Sequence, residues 1–522
     1  MAQLPVNHRS VYASESSTPR GSRPLSLLPT LSKHSELNTS EITWDGPEDP
    51  ANPKNWSVCR KWIITFITVL ATLNVTFASS APSFATAAVR EAFRISSEES
   101  YLLTSVFLIG YVVGPLLWGP GSEIVGRRPI FVVTMSGHTM FYLGQALAAN
   151  YQTLLISRFC GGFFAVGPLV NAGGVIADIW DIETRGKATS LFSASVFLGP
   201  GSLIEAGVSW RWVFWMMMVF SSISTGIVFF GLSETYEPVL LLQKLKARRN
   251  TDPIGTTHMY APLETNDWSP KATIDRTVLR PFKMLAGEPI LVLVTFYLSV
   301  VYGVLYCLLE TIPIIFMERR HFNLSQTGLV FTGLGVGTSL GALLNHHMSR
   351  HYTALIETWR GFPPPEERLL ATMIGGCLFP IAILWLGWSG QYSSVPWYVP
   401  ALATIFVGIG ISTIFIGFLS YLVDTYLIHS ATALAANTLC RSLMAAGFPL
   451  FTVQLFHKLG IHWASTVLAG VGVLLAPSPF LFYKYGPRIR VRSKFAPCKD
   501  LEISATVINA CKDDEKQPPL GN

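Results

Sequence analysis

Three charged side chains stand inside long apolar runs. Arg158 lies in SRFCGG, Glu310 in YCLLETIP and Arg441 in NTLCRS. A charge at mid-bilayer costs at least about 2.5–3.5 kcal/mol on insertion scales, so each is read first as functional. A carboxylate so placed can exchange protons when desolvation and a nearby cation offset one another, and Glu310 is the residue for that chemistry. Arg441 can bind an anionic group or a backbone carbonyl. The bland alternative for all three is an interhelical pair that serves assembly alone.

A second cluster, GPGSEIVGRRP, spans 119–129. Gly119 and Gly126 permit tight turns, and Glu123 can pair with Arg127 or Arg128 or sit near a helix N-terminus in a facing half. Such a loop could latch two halves together and open when they rock. Arg127 and Arg128 alone would also serve as an anchor against the membrane surface. Aromatic residues at Phe77, Tyr111, Tyr302, Tyr306, Phe415 and Tyr421 offer ring faces for an apolar or cationic ligand. Asn171 and Asn437 add amides to that pathway.

The elements that must position these residues follow from composition. Half of the 522 residues are hydrophobic and only 13% are Asp, Glu, Lys or Arg, against roughly 25% in a soluble domain. The apolar residues fall in twelve blocks, from 61–83 to 463–483. Blocks of about 20 residues match a hydrocarbon core of about 30 Å. The expected fold is therefore an all-α integral membrane protein with twelve transmembrane helices. Residues 1–57 read as a disordered N-terminal tail, and 58–232 as a first six-helix half. A polar central loop covers 233–287, a second six-helix half 288–486, and a C-terminal tail 487–522. Most Lys and Arg fall on the side that holds both termini, which makes the tails and the central loop cytoplasmic.

Composition also excludes functions. The net charge of +6 is spread over loops between apolar blocks, which argues against nucleic acid. The seven cysteines form no CxxC pair, so neither a disulfide framework nor a metal site is expected. No phosphate-binding loop of the G-x-x-x-x-G-K-[ST] type occurs, so ATP is not the direct energy source. No cofactor is expected and a proton gradient is left as the drive. The polar N-terminus lacks a secretory signal, and the first span would target the chain. Asn323, in NLS, is a glycosylation acceptor by pattern. No catalytic residues are expected.

The loop at 119–129 resembles the G-x-x-x-D-x-x-G-R-R signature of the major facilitator superfamily, with Glu123 where that family most often has Asp. DPANPKNW (49–56), NAGGVIADIW (171–180), ETRGKA (183–188), SWRWVFW (209–215), ETYEPVLL (234–241), YLVDTY (421–426) and ALAANTLCRS (433–442) extend the likeness. Together they are similar to the fungal twelve-span drug:proton antiporters, which export drugs, polyamines and toxic metabolites. The resemblance implies two pseudo-symmetric six-helix halves and a proton-coupling role for Arg158. It also implies a bent fifth helix at Gly199 and Pro200. There the second half of the antiporter run G-x-x-x-G-P-x-x-G-G is absent, and Glu205 follows instead. The function so implied is export of a small organic molecule, by a monomer in the plasma membrane. A nutrient importer of the same fold and a transport-deficient sensor are the alternatives.

Overall fold

The computed structural model describes residues 40–80, 82, 85–180, 209–253, 258–265, 279–359, 363–498 and 500. All of these beyond Ser40 belong to one compact unit, Glu41–Asn522. The calls on Gly199, Pro200 and Glu205 lie outside the described residues.

The described chain is helical almost throughout. Helix α1 spans Val58–Ser80, α2 Thr86–Phe93, α3 Ser97–Val113, α4 Pro115–Val125, α5 Arg127–Ala146, α6 Tyr151–Ile179 and α7 Arg211–Gly231. Helix α8, Glu237–Thr251, is polar. Helix α9 spans Pro289–Pro313, α10 Leu324–Thr358, α11 Leu370–Gln391, α12 Tyr398–Tyr426, α13 Ser430–Leu475 and α14 Ser478–Arg490. Among the described residues eight helices are long and apolar enough to cross a membrane, or nine when α3 and α4, bent by 41°, form one span. Composition hides two more. Helix α5 carries Thr134, His138 and Gln145, all fully buried, so its polar face points inward. Helix α13 is broken at Gly460, whose φ of 76° no ordinary helical residue adopts. Helices thus stand at eleven of the twelve block positions among the described residues.

Local chemistry explains why polar residues are tolerated here. Thr65, Thr68, Thr72 and Thr76 on α1 each donate to the carbonyl four residues back, at 2.8–2.9 Å. A hydroxyl so spent exposes no donor to lipid. Ser96 and Glu99 form a reciprocal cap on α3, at 3.1 and 2.8 Å. The outward surface is apolar, with Phe230 86% and Leu474 80% exposed. In water that would be a liability; facing acyl chains it costs nothing.

Glycine sets how closely the helices approach. A Cβ on Gly162 of α6 would lie 2.1 Å from the Phe107 carbonyl oxygen of α3. In the second half a Cβ on Gly337 of α10 would lie 2.0 Å from the Ile405 oxygen of α12. Both halves therefore use the same backbone-to-backbone contact, which needs a small residue in lipid.

The expectation of a disordered tail reaching residue 57 is corrected from Glu41 onward. Asp49 accepts from Lys244 Nζ at 2.5 Å and from the Asp45 and Ala51 amides at 3.0 and 2.8 Å. Lys244 also meets Asp45 at 2.9 Å, and Trp44 donates to Glu237 at 2.7 Å. Ile42 packs with Leu241, Leu245 and Ala261. The segment reads as polar in sequence because its partners lie some 200 residues away on α8.

Candidate functional site

Charged and aromatic side chains from both halves meet around Arg158 and Arg441. Arg158, fully buried on α6, donates from Nε to the Leu103 carbonyl at 3.0 Å and from Nη1 to the Ala78 carbonyl at 3.1 Å. Its guanidinium sits 4.2 Å from the Phe107 ring centre. The close α3–α6 approach at Gly162, one turn further on, brings the α3 carbonyl within reach. Nη2 has no partner.

Arg441 lies on α13 and is 8% exposed. Its guanidinium is 5.1 Å from the Tyr302 ring centre and 5.8 Å from that of Phe415. Among the described residues it has no carboxylate partner, and Nε has no hydrogen bond. Asn437, one turn earlier, donates to Thr295 at 3.4 Å while its Oδ1 is buried without a partner among the described residues. Thr295 and Tyr302, which face Asn437 and Arg441, follow in the same order on α9, two turns apart, so α9 and α13 run side by side in the same direction.

The rings close the arrangement. Tyr302 and Tyr306 meet edge to face at 5.2 Å, and Tyr302 lies 5.8 Å from Phe415. Tyr111 donates to the Val75 carbonyl at 2.8 Å and feels the charge of both Arg158 and Arg441. Tyr306 donates to Ser79 of α1 at 2.9 Å, a hydrogen bond between α9 and the first half. The sequence reading did not single out Ser79, Phe107 or Asn74. Asn74, fully buried on α1, leaves both amide atoms unpartnered among the described residues. An Asn in a Thr-rich span was the available signal.

Other expected residues fall elsewhere. Glu310 shares a face of α9 with Tyr302 and Tyr306 at four-residue spacing, but the expected neighbouring cation is corrected. Among the described residues Glu310 has no ion-pair partner, and its electrostatic neighbours are Tyr101 of α3 and Cys307 of α9. Asn171 spends its amide on the Trp118 and Gly167 carbonyls at 3.2 and 2.9 Å, so it fastens α6 to α4 and does not reach the arginines. Phe77 packs on Phe220, and Tyr421 on Phe482, away from this cluster. Asn323 caps α10, accepting from the Gln326 amide at 2.9 Å.

The 119–129 loop forms a different network from the one expected. Gly119 is helical within α4 and makes no turn. Gly126 does, with φ 106°, and a Cβ there would meet Glu234 Oε2 at 2.3 Å. Arg127 pairs with Asp178 at 3.2 Å and donates to Ser122 at 2.6 Å, not to Glu123. The Glu234 carboxylate accepts from the Arg127 and Arg128 amides at 2.9 and 3.2 Å, so an anion closes the N-terminus of α5. Arg128 donates to the Phe229 carbonyl at 3.2 Å. Glu123 has no ion-pair partner among the described residues. The loop's ion pairs and hydrogen bonds thus stay within the first half and the start of the central loop, and the expected charged latch between halves is absent among the described residues. Asp178 and Glu234 were legible only as members of the NAGGVIADIW and ETYEPVLL segments.

The second half repeats the device. Arg368 pairs with Asp424 at 2.9 Å, and Tyr352 donates to the same oxygen at 2.8 Å. Beside it Arg490 is clamped by Glu366 at 2.8 and 2.9 Å and by Asp500 at 2.8 Å through both nitrogens.

The sequence model of the Major Facilitator Superfamily matches residues 64–449. The chain is 38% identical to the major facilitator superfamily multidrug transporter mdrA of Aspergillus fumigatus, over 89% of this chain and 77% of that protein. It is 37% identical to the multidrug transporter FLU1 of Candida albicans, over 87% and 76%. The xylose transporter XylE from E. coli, in a partially occluded inward open conformation, has the same fold. Its TM-score is 0.55 at 17% identity, covering 81% of this chain and 99% of that one.

Proposed function

Because the chain belongs to the Major Facilitator Superfamily, we propose that it exports small organic compounds by alternating access, driven by inward proton movement. The observation that carries this reading is the meeting of Arg158 and Arg441, one from each half, across Tyr111, Tyr302 and Tyr306. A ligand held between such halves would be released as they rock apart. The relatives named as multidrug transporters support the outward direction.

Glu310 is the proposed proton carrier. It lies on the ring-bearing face of α9, one turn beyond Tyr306, with no described cation to hold it ionised. Protonation would remove its charge and change the balance between the halves. Both termini face the cytoplasm of a plasma-membrane protein that works as a monomer. Asn323 then lies outside the cell, where its cap on α10 competes with glycosylation.

The test is expression in a yeast strain stripped of exporters, with accumulation of aromatic toxins measured with and without a protonophore. Lower accumulation that the protonophore abolishes is expected, and Glu310→Gln should remove that sensitivity while surface expression persists. Accumulation equal to the empty vector under both conditions would sink the export reading.

A further inference from the structure

Among the described residues the arginine–tyrosine cluster holds two buried cations and no anion. Among the described residues Arg158 is fully buried with Nη2 unpartnered, and Arg441 is 8% exposed with Nε unpartnered. Neither has a carboxylate partner among the described residues. Ring faces and two carbonyls compensate only part of the cost of desolvating two guanidinium groups. The phenols of Tyr111, Tyr302 and Tyr306 carry no charge at neutral pH. Glu310, the acidic residue on the same face of α9, lies eight residues beyond Tyr302, about 12 Å along the axis at 1.5 Å per residue. Among the described residues no countercharge stands at this site, and an anionic ligand would supply one.

We propose that this site takes an aromatic organic anion, its acidic group bound by Arg441 and its ring seated against Tyr302 and Phe415. The proposal deepens the export reading and rests on it for the claim that the bound molecule is cargo. A planar guanidinium presents paired donors that match a carboxylate or sulfonate. Tyr302 meets Tyr306 edge to face at 5.2 Å and Phe415 at a tilt at 5.8 Å, an arrangement that a further aromatic ring can join. The same arrangement disfavours cations. At an effective dielectric of about 20 and a separation of about 6 Å, one unpaired guanidinium alone disfavours a monocation by about 100-fold. Polyamines, with several positive charges, would be rejected more strongly.

Three probes with one ring system separate the possibilities: 2-naphthalenesulfonate, 2-naphthalenemethanol and trimethyl(2-naphthylmethyl)ammonium. Their charges do not change between pH 5 and 8. Binding to the purified full chain, by equilibrium dialysis in detergent, should rank the sulfonate at least ten-fold tighter than the ammonium. Arg441→Gln should erase that preference while the alcohol binds within two-fold of its original affinity, and Arg441→Lys should restore part of it. Equal or tighter binding of the ammonium would overturn the proposal, as would a preference that survives Arg441→Gln. Should Arg441→Gln fail to fold, the ranking in the unaltered protein still decides. No anion preference in the unaltered protein, with protonophore-sensitive export intact, would sink this inference alone. An anion preference without such export would support it and sink the export reading.

Discussion

The Tyr306 hydroxyl donates to Ser79 Oγ at 2.9 Å, joining α9 of the second half to α1 of the first. A neutral hydrogen bond contributes about 0.5–1.5 kcal/mol net, which is a two- to ten-fold change in a two-state population. Tyr306→Phe keeps the ring and removes the donor. In a background with all seven cysteines replaced, a cysteine at Ser100, outside this bond, would report the opening of the halves. Its labelling should speed up several-fold in Tyr306→Phe. An unchanged rate would mean that the bond does not hold this conformation.

The turn at Gly126 leaves no room for a side chain. Gly126→Ala would place a Cβ 2.3 Å from Glu234 Oε2 at a backbone φ of 106°. It should push Glu234 off the α5 amides and lower the melting temperature in detergent. Glu234→Gln loses the charge at the same helix N-terminus and should cost about 0.3–2 kcal/mol. A larger loss for Gly126→Ala than for Glu234→Gln is the expected order, read by thermal unfolding.

The Arg490 side chain, 1% exposed, depends on Glu366, itself 4% exposed. Glu366→Ala strands part of a buried charge and should destabilise by about 3–5 kcal/mol. Asp500 retains some compensation, so the double change with Asp500→Ala should cost more. Thermal unfolding of both variants in one detergent measures the difference, and equal melting temperatures would refute the clamp.

The docked N-terminal segment carries a pH signature. The hydrogen bond from Lys244 holds the Asp49 carboxyl down to about 2, with the Asp45 and Ala51 amides adding to it. A depressed acid stabilises the folded arrangement above its ordinary value of 3.8 and loses that contribution as pH falls through about 2. Docking should therefore be constant from pH 5 to 8. Pepsin cleavage within residues 41–57 should rise as pH falls from 4 to 2. Asp49→Asn should expose the same segment to trypsin at neutral pH, at Lys54.

The two-residue spacing of a loop such as Gly126–Arg128 announces a turn and a charge, but not a partner. The sequence put Glu123 beside the arginines because it is near in the chain. The fold chose Asp178 and Glu234 instead, since α6 and the end of α7 converge on the N-terminus of α5. Glu310 shows the converse. Its burial within an apolar span was legible, while the missing cation depended on which helix face turned toward which neighbour.

What the amino-acid order determined was one-dimensional: apolar runs long enough to span a bilayer, charges too costly to be there by accident, and turn residues between them. Each follows from transfer energies that depend on residue type and length. Tertiary structure alone decided which charges neutralise one another. It paired Arg368 with Asp424 across 56 residues and Arg490 with Glu366 across 124, while leaving Arg158 and Arg441 among rings. Electrostatic partnership depends on separation in space, and in a bundle of helices that separation is set by close-packed side chains far apart in the chain.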